Sequence, residues 1–380
     1  MLEYFIPLSF DFDYKLAKEQ DNLGGIIDSY TVNNRPDIAN ASIVFVGIEE
    51  DRNSIDNEGT KHAPNEIRKA LYKLFPGQWS QNIADLGNLV QQETVAETYI
   101  KLEEVLLSLL KQNKQIIVLG GSHDITYALT KAFDTYQKVY NLNIIDAYID
   151  ASLIDEELDN TNFLTKILSN ESSSLHNISL FGLQTYYNHP AKYKIFDALY
   201  VDYYKLSELQ KDILNAEPEL RDAHIVSLDV ASIKNTDFPA QPESKPNGFT
   251  GQELCTLSRQ AGISVHNRIF GIFEYNPFFD KNLVSANLLA QIIWYYIEGV
   301  DRRIDDYPNI SKSELIKFHV ENDILSLIFY KNKKTNRWWV ETRDMKMENR
   351  LFSCSEIDYN NAVNQKITNR IYRIINKNTI

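Results

Sequence analysis

Short apolar runs alternate with longer amphipathic segments through the first 300 residues of the chain. Apolar runs without alternation are typical of parallel strands buried on both faces, and apolar residues spaced by three or four positions predict helices. We interpret as strands the runs 42–48, 83–87, 116–119, 142–150, 178–182, 198–201, 224–231 and 268–274. We interpret as helices the segments 63–75, 95–112, 126–136, 163–168, 206–215, 250–261 and 286–297. This alternation predicts a three-layer α/β/α domain with a mostly parallel sheet.

The chain changes character at both ends of the alternating region. Residues 1–40 are mixed and polar and predict an N-terminal arm, whereas residues 41–300 would form the α/β domain. From residue 301 to residue 380 we predict an appendage. In it, the apolar runs Ile324–Tyr330 and Arg337–Thr342 flank a basic turn, which predicts a β-hairpin.

Polar side chains that can carry chemistry follow three of the predicted strands. His123 comes after a Gly-Gly turn that ends one strand, Asp146 and Asp150 lie near the end of a second, and Asp229 near the end of a third. Because the carboxyl ends of parallel strands meet at one edge of a sheet, we expect these side chains to lie close together. In an extended segment, residues four apart leave the same face, so Asp146 and Asp150 would converge on one ion.

Three carboxylates and one imidazole form a donor set that suits Mn²⁺ and similar divalent ions. Unpaired carboxylates clustered on an acidic protein are costly without a cation. A structural alternative is a strand followed by a helix near Thr126, with aspartates that cap the turns between strand and helix. The recurrence of carboxylates at the strand ends favours the metal site.

Composition narrows the classes of partner. The formal net charge of −13 argues against nucleic acid or an anionic membrane as a partner. No apolar run approaches the roughly 18 residues of a membrane-spanning helix. Cys255 and Cys354 show no pairing pattern and the N-terminus shows no secretion signal, which together predict a reducing, cytoplasmic setting.

Five short motifs occur in order over residues 42–300. They are Gly120-Gly-Ser-His-Asp124, Asp146-Ala-Tyr-Ile-Asp150, Ser227-Leu-Asp-Val-Ala-Ser-Ile-Lys234, Asn247-Gly-Phe-Thr250 and Glu274-Tyr-Asn-Pro277. They resemble the Gly-Gly-x-His, Asp-Ala-His-x-Asp, Ser-x-Asp-x-Asp-x-x-Asp, Gly-Gly-Leu-Thr and Glu-x-Asn-Pro segments of the ureohydrolase superfamily, which includes arginase, agmatinase and formimidoylglutamase. Upstream, Ile67-Arg68 and Asp85-Leu-Gly87 also fall in the order found in that family.

The resemblance implies an arginase-like fold and hydrolysis of a linear C–N bond in a small guanidino or formimino compound. It also implies two Mn²⁺ ions bridged by a hydroxide. One ion would be held by His123, Asp146, Asp150 and Asp229. Glu274 would bind the cationic group of the substrate, and Asp150 and Glu274 are the catalytic candidates.

The chain departs from the family at the second ion. Two ligands of that ion would fall at positions 148 and 231, where Tyr148 and Ala231 replace a histidine and an aspartate. A phenol is a poor ligand for Mn²⁺ and a methyl group is none, so we predict one Mn²⁺ ion or none. Lys234, at another acidic position of the family, would partly substitute for the missing cation or point to solvent. The phenol of Tyr148 would bond to Asp150 or Asp229, or simply fill space.

Two functions follow from these departures. The first is a hydrolase that works with one ion and whose activity is weak or lost, because only one of the two metal sites is intact. Arginase also uses a proton-relaying histidine, and the loop 151–174 contains none. The second is an inactive arginase-fold protein that binds or regulates a partner, for which the appendage with Trp338-Trp339 would be suited. Members of the family are commonly oligomers, so a homo-oligomer is also expected. Metal content would separate the two functions.

Overall fold

A ten-stranded sheet runs through the part of the chain that the computed structural model describes, namely residues 1–9, 21–137, 139–154, 156–243, 245–306, 314–321, 326–343 and 349–379. Its strands are β1 (Phe5–Ile6), β2 (Asp28–Ser29), β3 (Ile43–Ile48), β4 (Ile83–Leu89), β5 (Gln115–Leu119), β6 (Tyr140–Ile145), β7 (Leu175–Leu183), β8 (Asp202–Lys205), β9 (Ile225–Asp229) and β10 (Ile269–Phe273). They lie in the order β1-β4-β3-β5-β10-β9-β6-β7-β8, with β2 paired to β4. Among these strands β1 alone is antiparallel to its neighbour, so the prediction of a mostly parallel sheet is confirmed.

Helices cover both faces of this sheet. They are α1 (Leu23–Ile26), α2 (Ala63–Leu71), α3 (Val95–Lys111), α4 (Ile125–Tyr136), α5 (Phe163–Leu168), α6 (Pro190–Ala198), α7 (Leu206–Leu209), α8 (Glu217–Asp222), α9 (Gly251–Ile263) and α10 (Val284–Asp301). Helices α2, α9 and α10 share one apolar core with Ile117 of β5, and α3, α4 and α5 share a second core with Ile116. Because successive strand residues point to opposite faces, one buried strand supplies both cores, and the three-layer α/β/α prediction is confirmed.

Some predicted boundaries were wrong where an apolar run is short. The run at 198–201 forms the end of α6 and a turn at Tyr200, where φ is 51°, and the strand begins only at Asp202. A run of this length does not distinguish a buried helix end from a strand. The predicted helix at 206–215 is interrupted after α7, and the one predicted at 63–75 ends earlier, as α2.

The described part of the N-terminal arm joins the edge of the sheet. Strand β1 pairs with β4, so that Phe5 lies opposite Leu89, and β2 pairs with the same strand. Strands of two residues carry no periodicity, which is why the sequence predicted no structure here. The domain boundaries at 40 and 300 remain predictions.

The appendage contains a second sheet. Its antiparallel strands are β11 (Leu315–Glu321), β12 (Ser326–Asn332), β13 (Trp338–Arg343) and β14 (Asn349–Cys354). Its helices are α11 (Glu356–Val363) and α12 (Asn369–Thr379). The predicted hairpin is confirmed as β12 and β13, and the structure adds a strand on either side of it.

The two tryptophans of β13 are buried in different places: Trp338 packs within the appendage against Phe318 and Tyr359, and Trp339 faces the main domain. The guanidinium of Arg221, in α8, lies 4.6 Å from the ring of Trp339. It also donates hydrogen bonds of 3.0 Å to the carbonyl oxygens of Trp338 and Cys354. Both tryptophan side chains are therefore part of the packing of the described structure. Within the described residues no helix is both long enough and apolar enough to cross a membrane.

A fully buried ion pair fixes the irregular middle of β4, where Gly87 has a φ of 79°. Arg68, in α2, donates from Nε and Nη2 to the two carboxylate oxygens of Asp85 at 2.7 and 2.9 Å, and from Nη2 to the carbonyl oxygen of Gly87 at 2.9 Å. Tyr72 donates from its hydroxyl to the same carboxylate at 2.7 Å. Both charged side chains have no exposed surface. The upstream motif residues of the sequence thus form one structural unit.

Removing one partner of this buried pair should be strongly destabilising. We expect Arg68→Ala to lower the free energy of unfolding by about 3–5 kcal/mol, because the carboxylate of Asp85 would stay buried without its counter-charge. Chemical denaturation followed by circular dichroism measures this loss. The neighbouring Lys69 is 45% exposed, and Lys69→Ala should change stability by less than about 0.5 kcal/mol. Equal losses in the two variants would contradict the interpretation.

Candidate metal centre and active site

The turn after β5 places His123 at the carboxyl edge of the sheet. A Cβ atom on Gly121 would lie 2.1 Å from the carbonyl oxygen of Glu50, so the close approach of these two backbones requires glycine. The imidazole of His123 is fully buried and packs between the rings of Phe163 and Phe273, with centroid distances of 4.6 and 5.5 Å. Strand, turn and aromatic rings therefore fix both the position and the plane of the imidazole.

Hydrogen bonds on the far side of the imidazole orient its second nitrogen. The Nε2 atom of His123 lies 3.0 Å from Oγ of Ser227, which lies 2.6 Å from Oγ1 of Thr126. If Nε2 carries the proton and donates it to Ser227, then Nδ1 presents a free lone pair. Ser227 belongs to one of the sequence motifs, and the structure shows its contact with the ring.

The structure brings the four predicted ligands together. Nδ1 of His123 lies 3.5, 3.4 and 3.1 Å from Oδ2 of Asp146, Asp150 and Asp229. The four ligand atoms all lie within 4.8 Å of one another. Each aspartate comes from a different local structure: Asp146 follows β6, Asp150 lies in the loop beyond it, and Asp229 ends β9.

Asp150 reaches this cluster by a route that the sequence did not predict. We expected an extended segment through residue 150, but β6 ends at Ile145. Beyond it, Ile149 donates its N–H to Oδ1 of Asn188 at 2.6 Å, and Leu164 donates its N–H to the carbonyl oxygen of Asp150 at 2.9 Å. These contacts turn the loop so that Asp150 faces His123, and strand alternation is not the cause.

The cluster has the polar atoms that a single cation needs. Nδ1 of His123 and Oδ2 of Asp146 are buried and make no hydrogen bond. Buried polar atoms without partners are rare in folded proteins, and here they face each other. Nitrogen and oxygen donors in this combination fit Mn²⁺ or a similar divalent ion.

Burial and crowding shift the titration of this cluster. Burial, followed by the nearby charge of Asp150, raises the pKa of Asp146 to about 7. Burial works against protonation of His123, but the three surrounding carboxylates outweigh it and hold its pKa well above the usual range. In the absence of a cation, the site therefore retains protons near neutral pH.

Tyr148 lies at a position where the resemblance places a ligand of a second ion, but its side chain makes other contacts. The hydroxyl of Tyr148 donates to Oε2 of Glu243 at 3.3 Å, so the expected bond to Asp150 or Asp229 was wrong. The ring of Tyr148 also packs against Tyr187, with a centroid distance of 5.2 Å.

Backbone amides at positions 148 and 231 bind the remaining carboxylate oxygens. Oδ1 of Asp146 accepts the N–H of Tyr148 at 3.1 Å, and Oδ1 of Asp229 accepts the N–H of Ala231 at 2.6 Å. Lys234 pairs with Asp237 at 3.3 Å, so the hypothesis that Lys234 replaces a cation in the cluster was wrong.

Glu274 lies beside the cluster with its carboxylate held by several donors. Oε1 accepts the backbone N–H of His123 at 2.8 Å and Nδ2 of Asn160 at 3.3 Å. Oε2 accepts hydrogen bonds from Oγ of Ser54 at 3.1 Å and from Nδ2 of Asn57 at 2.7 Å. Burial, followed by the charge of Asp229, raises the pKa of Glu274 to about 7.

A cavity of about 320 Å³ connects these groups. Glu274 lines it together with Asp150 and Asp229, so the candidate substrate-binding carboxylate and two candidate metal ligands face one space. Its volume suits a small molecule. Asp150 has the most exposed side chain of the four candidate ligands, at 12%.

Several residues of this site escaped the sequence analysis. Ser54, Asn57 and Asn160 hold Glu274, while Lys192 and Lys245 line the cavity. All five come from loops or helix ends far from Glu274 in the sequence, and no motif pointed to them. The available signal was polar composition in the long loops that follow the strands, which is too general to single out a residue.

Comparison with known proteins identifies the class to which this fold and site belong. Residues 41–298 match the model of the arginase family, and the chain therefore belongs to that family. It is 24% identical over 269 residues to the formimidoylglutamase of Lysinibacillus sphaericus, covering 67% of this chain and 82% of that one. It is 23% identical over 275 residues to that of Halalkalibacterium halodurans, covering 67% and 86%.

Solved structures show the same fold. The formiminoglutamase of Trypanosoma cruzi, solved with Mn²⁺, superposes with a TM-score of 0.66 at 20% identity, covering 75% of this chain and 100% of that one. The formimidoylglutamase of Bacillus subtilis gives a TM-score of 0.67 at 16% identity, covering 78% and 95%. The predicted superfamily and the arginase-like fold are thus confirmed.

The raised pKa of Asp146 predicts how the stability of the metal-free protein changes with pH. In the unfolded chain an aspartate titrates near about 3.9, and in the folded protein Asp146 titrates at about 7. The folded state thus binds the proton more tightly, so this residue's contribution to stability falls as pH rises between these values. The side chain of Asp146→Asn stays neutral at every pH. We therefore expect its free energy of unfolding, relative to that of wild type, to increase by about 2 kcal/mol as pH rises from 5.5 to 8.

Urea unfolding in the presence of a chelator measures this difference at each pH. Asp197→Asn is the matched control, because the side chain of Asp197 is 60% exposed. The control should follow wild type at every pH. If the stability difference between Asp146→Asn and wild type did not change with pH, the buried-carboxylate account would be wrong.

Proposed function

We propose that the chain is a hydrolase of a linear C–N bond in a small guanidino or formimino compound, and that it works with one Mn²⁺ ion. The observation that carries the proposal is the convergence of one imidazole nitrogen and three carboxylate oxygens within 4.8 Å. Asp150 and Asp229 of this cluster line a cavity that Glu274 also lines. His123, Asp146, Asp150 and Asp229 would hold the ion. Similarity to formimidoylglutamases supports the reaction class.

The residues of the site divide the chemistry between them. A bound divalent ion lowers the pKa of a coordinated water, which makes it a nucleophile near neutral pH. Asp150 lines the cavity and is placed to accept the proton of the attacking water. Glu274 would bind the N–H groups of the cationic amidine group of the substrate, while Asn57 and Asn160 keep the carboxylate of Glu274 in place. Addition of water and loss of the amine would yield urea from a guanidino group or formamide from a formimino group.

The contacts of the aspartates favour one ion over two. The oxygens of Asp146 and Asp229 that do not face His123 accept backbone N–H groups of Tyr148 and Ala231. The side chains at these two positions add no metal ligand, since the phenol of Tyr148 bonds to Glu243. A single ion lacks the second cation that would share the developing charge, so we expect slower turnover than a two-metal site gives.

The alternative of a binding protein without catalysis gains no specific support. Without a metal ion, either protons or a cation from the chain itself would have to compensate the three carboxylates. Lys234 is bound to Asp237, and among the described residues only His123 lies within ion-pair distance of the cluster. A homo-oligomer, a cytoplasmic location and the absence of nucleic-acid and membrane partners remain predictions.

Metal content tests the first part of this proposal. We expect about one Mn²⁺ per chain after purification with added Mn²⁺, measured by elemental analysis after removal of free ions. Asp229→Ala should lose the ion because it removes a ligand, whereas Asp237→Ala should keep it, since Asp237 contacts Lys234. Two ions per chain, or none at saturating Mn²⁺, would contradict the proposal.

Substrate turnover tests the second part. A screen of guanidino and formimino compounds for released urea, formamide or ammonia should identify a substrate. With that substrate, Glu274→Gln should lower kcat/KM by about 100-fold, roughly 3 kcal/mol, because a charge-assisted hydrogen bond to the reacting group is lost. Its Mn²⁺ content should not change. Full activity of Glu274→Gln would exclude the role assigned to this carboxylate.

A further inference from the structure

Strand β11 lies at the end of the appendage sheet and has a neighbouring strand on one side only. It pairs antiparallel with β12, from Leu315 opposite Asn332 to Glu321 opposite Ser326. In the described part of the chain no strand pairs with its other side, the free edge. An edge strand presents a row of N–H and C=O groups with which another strand can pair. The free edge of β11 is therefore a candidate interaction surface.

The hydrogen bonds at the two ends of β11 show which of its residues face the free edge. Just before the strand, Lys333 donates its N–H to the carbonyl oxygen of Glu314 at 3.0 Å. Because bonded pairs alternate along an antiparallel ladder, even-numbered residues of β11 bond to β12, and odd-numbered residues direct their N–H and C=O groups to the free edge. The far end agrees, since the carbonyl oxygen of Glu321 accepts Nε2 of Gln365 at 3.3 Å, from outside the sheet. The residues that face the free edge are Leu315, Lys317, His319 and Glu321.

Two opposite charges stand symmetrically about His319 on this edge. Lys317, His319 and Glu321 are exposed and lie on one face of the strand. Nζ of Lys317 lies 5.6 Å from the ring centroid of Tyr330, and Oε1 of Glu321 accepts Oγ of Ser326 at 3.1 Å. Within the described residues neither charged side chain forms an ion pair. Charges of a single sign on an edge strand repel a second copy, whereas this arrangement is complementary to itself.

We propose that the free edge of β11 pairs with the free edge of β11 in a second copy of this chain, antiparallel and with His319 on the two-fold axis. In this register Lys317 of each copy lies opposite Glu321 of the other, and Phe318 lies opposite Val320. The two appendage sheets would then form one continuous sheet. The register that instead places Lys317 opposite His319 also places Leu315 opposite Glu321, and it loses both ion pairs.

Charge reversal on the edge tests this pairing. Analytical ultracentrifugation of the full chain over a range of concentrations measures the dissociation constant of the dimer. Lys317→Glu places two glutamates opposite each other, and Glu321→Lys places two lysines opposite each other. Each variant alone should raise the dissociation constant about tenfold or more, because like charges then meet at both ends of the paired strands. An equimolar mixture of the two variants should dimerise as wild type does, since opposite charges meet again.

Matched controls make the same changes of charge elsewhere on the appendage. Lys366 is exposed, and the side chain of Glu356 is 61% exposed. Lys366→Glu and Glu356→Lys should leave the dissociation constant unchanged. Recovery in the mixture also shows that both edge variants are folded. A wild-type chain that stays monomeric, single edge variants that dimerise as wild type does, or a mixture that fails to dimerise would each overturn the proposal.

Disulfide cross-linking tests the register independently of any other contact between copies. Opposite Cα atoms in a hydrogen-bonded antiparallel pair lie about 5.5 Å apart, within the range of about 4.4–6.8 Å that a disulfide spans. His319→Cys should therefore form a cross-linked dimer on mild oxidation, detected by non-reducing electrophoresis. Lys317→Cys should not, because the two cysteines would be four residues out of register. Wild type is the control, since Cys255 and Cys354 are buried. No cross-link at position 319, or an equal one at position 317, would overturn the proposed pairing.

Discussion

Three carboxylates and one imidazole are buried together at the carboxyl ends of parallel strands, and the surrounding structure is fitted to this cluster of charge. The backbone approach at Gly121 brings the turn after β5 against Glu50 and sets the position of His123. Phe163 and Phe273 fix the plane of the ring, and hydroxyl groups on its far side orient Nε2. Carboxylates so close together repel one another in a medium of low dielectric constant, so the arrangement is stable only when protons or a cation compensate their charge.

The same cluster is consistent with the proposal of a single ion, since Tyr148 and Ala231 occupy the positions at which the resemblance places two further ligands. Tyr148 and Ala231 contribute backbone N–H groups to Asp146 and Asp229, while the side chain of Tyr148 turns toward Glu243. The carboxylates thus keep the geometry that faces His123 and satisfy their other oxygens from the main chain. We interpret this as a site suited to one ion, with a cavity beside it.

The sequence predicted those parts of the structure that depend on regular periodicity. Buried strands and the residues at their ends follow from apolar runs and turns, and so His123 and Asp229 were placed correctly at one edge of the sheet. The position of Asp150 was predicted for a wrong reason, because a loop and not an extended strand carries it. Such loop geometry depends on tertiary contacts, here with Asn188 and Leu164, that no local pattern encodes.

The sequence also did not predict the direction in which side chains of the loops point. The ring of Tyr148 is oriented by Tyr187 and Glu243, which lie far along the chain. Asn160 reaches Glu274 from the loop 151–174, and Lys245 enters the cavity from the Pro-rich loop before α9. Each placement results from packing between distant segments, whereas motif spacing reports only on neighbours in sequence.

Anomalous diffraction at the manganese absorption edge, from crystals grown with excess Mn²⁺, would count the ions in the cluster. We expect one anomalous peak per chain, near Nδ1 of His123 and oxygens of Asp146, Asp150 and Asp229. We also expect Tyr148 still to donate to Glu243 when the ion is bound. A second peak between Asp146 and Asp229, or no peak at all, would contradict the proposal of a single ion.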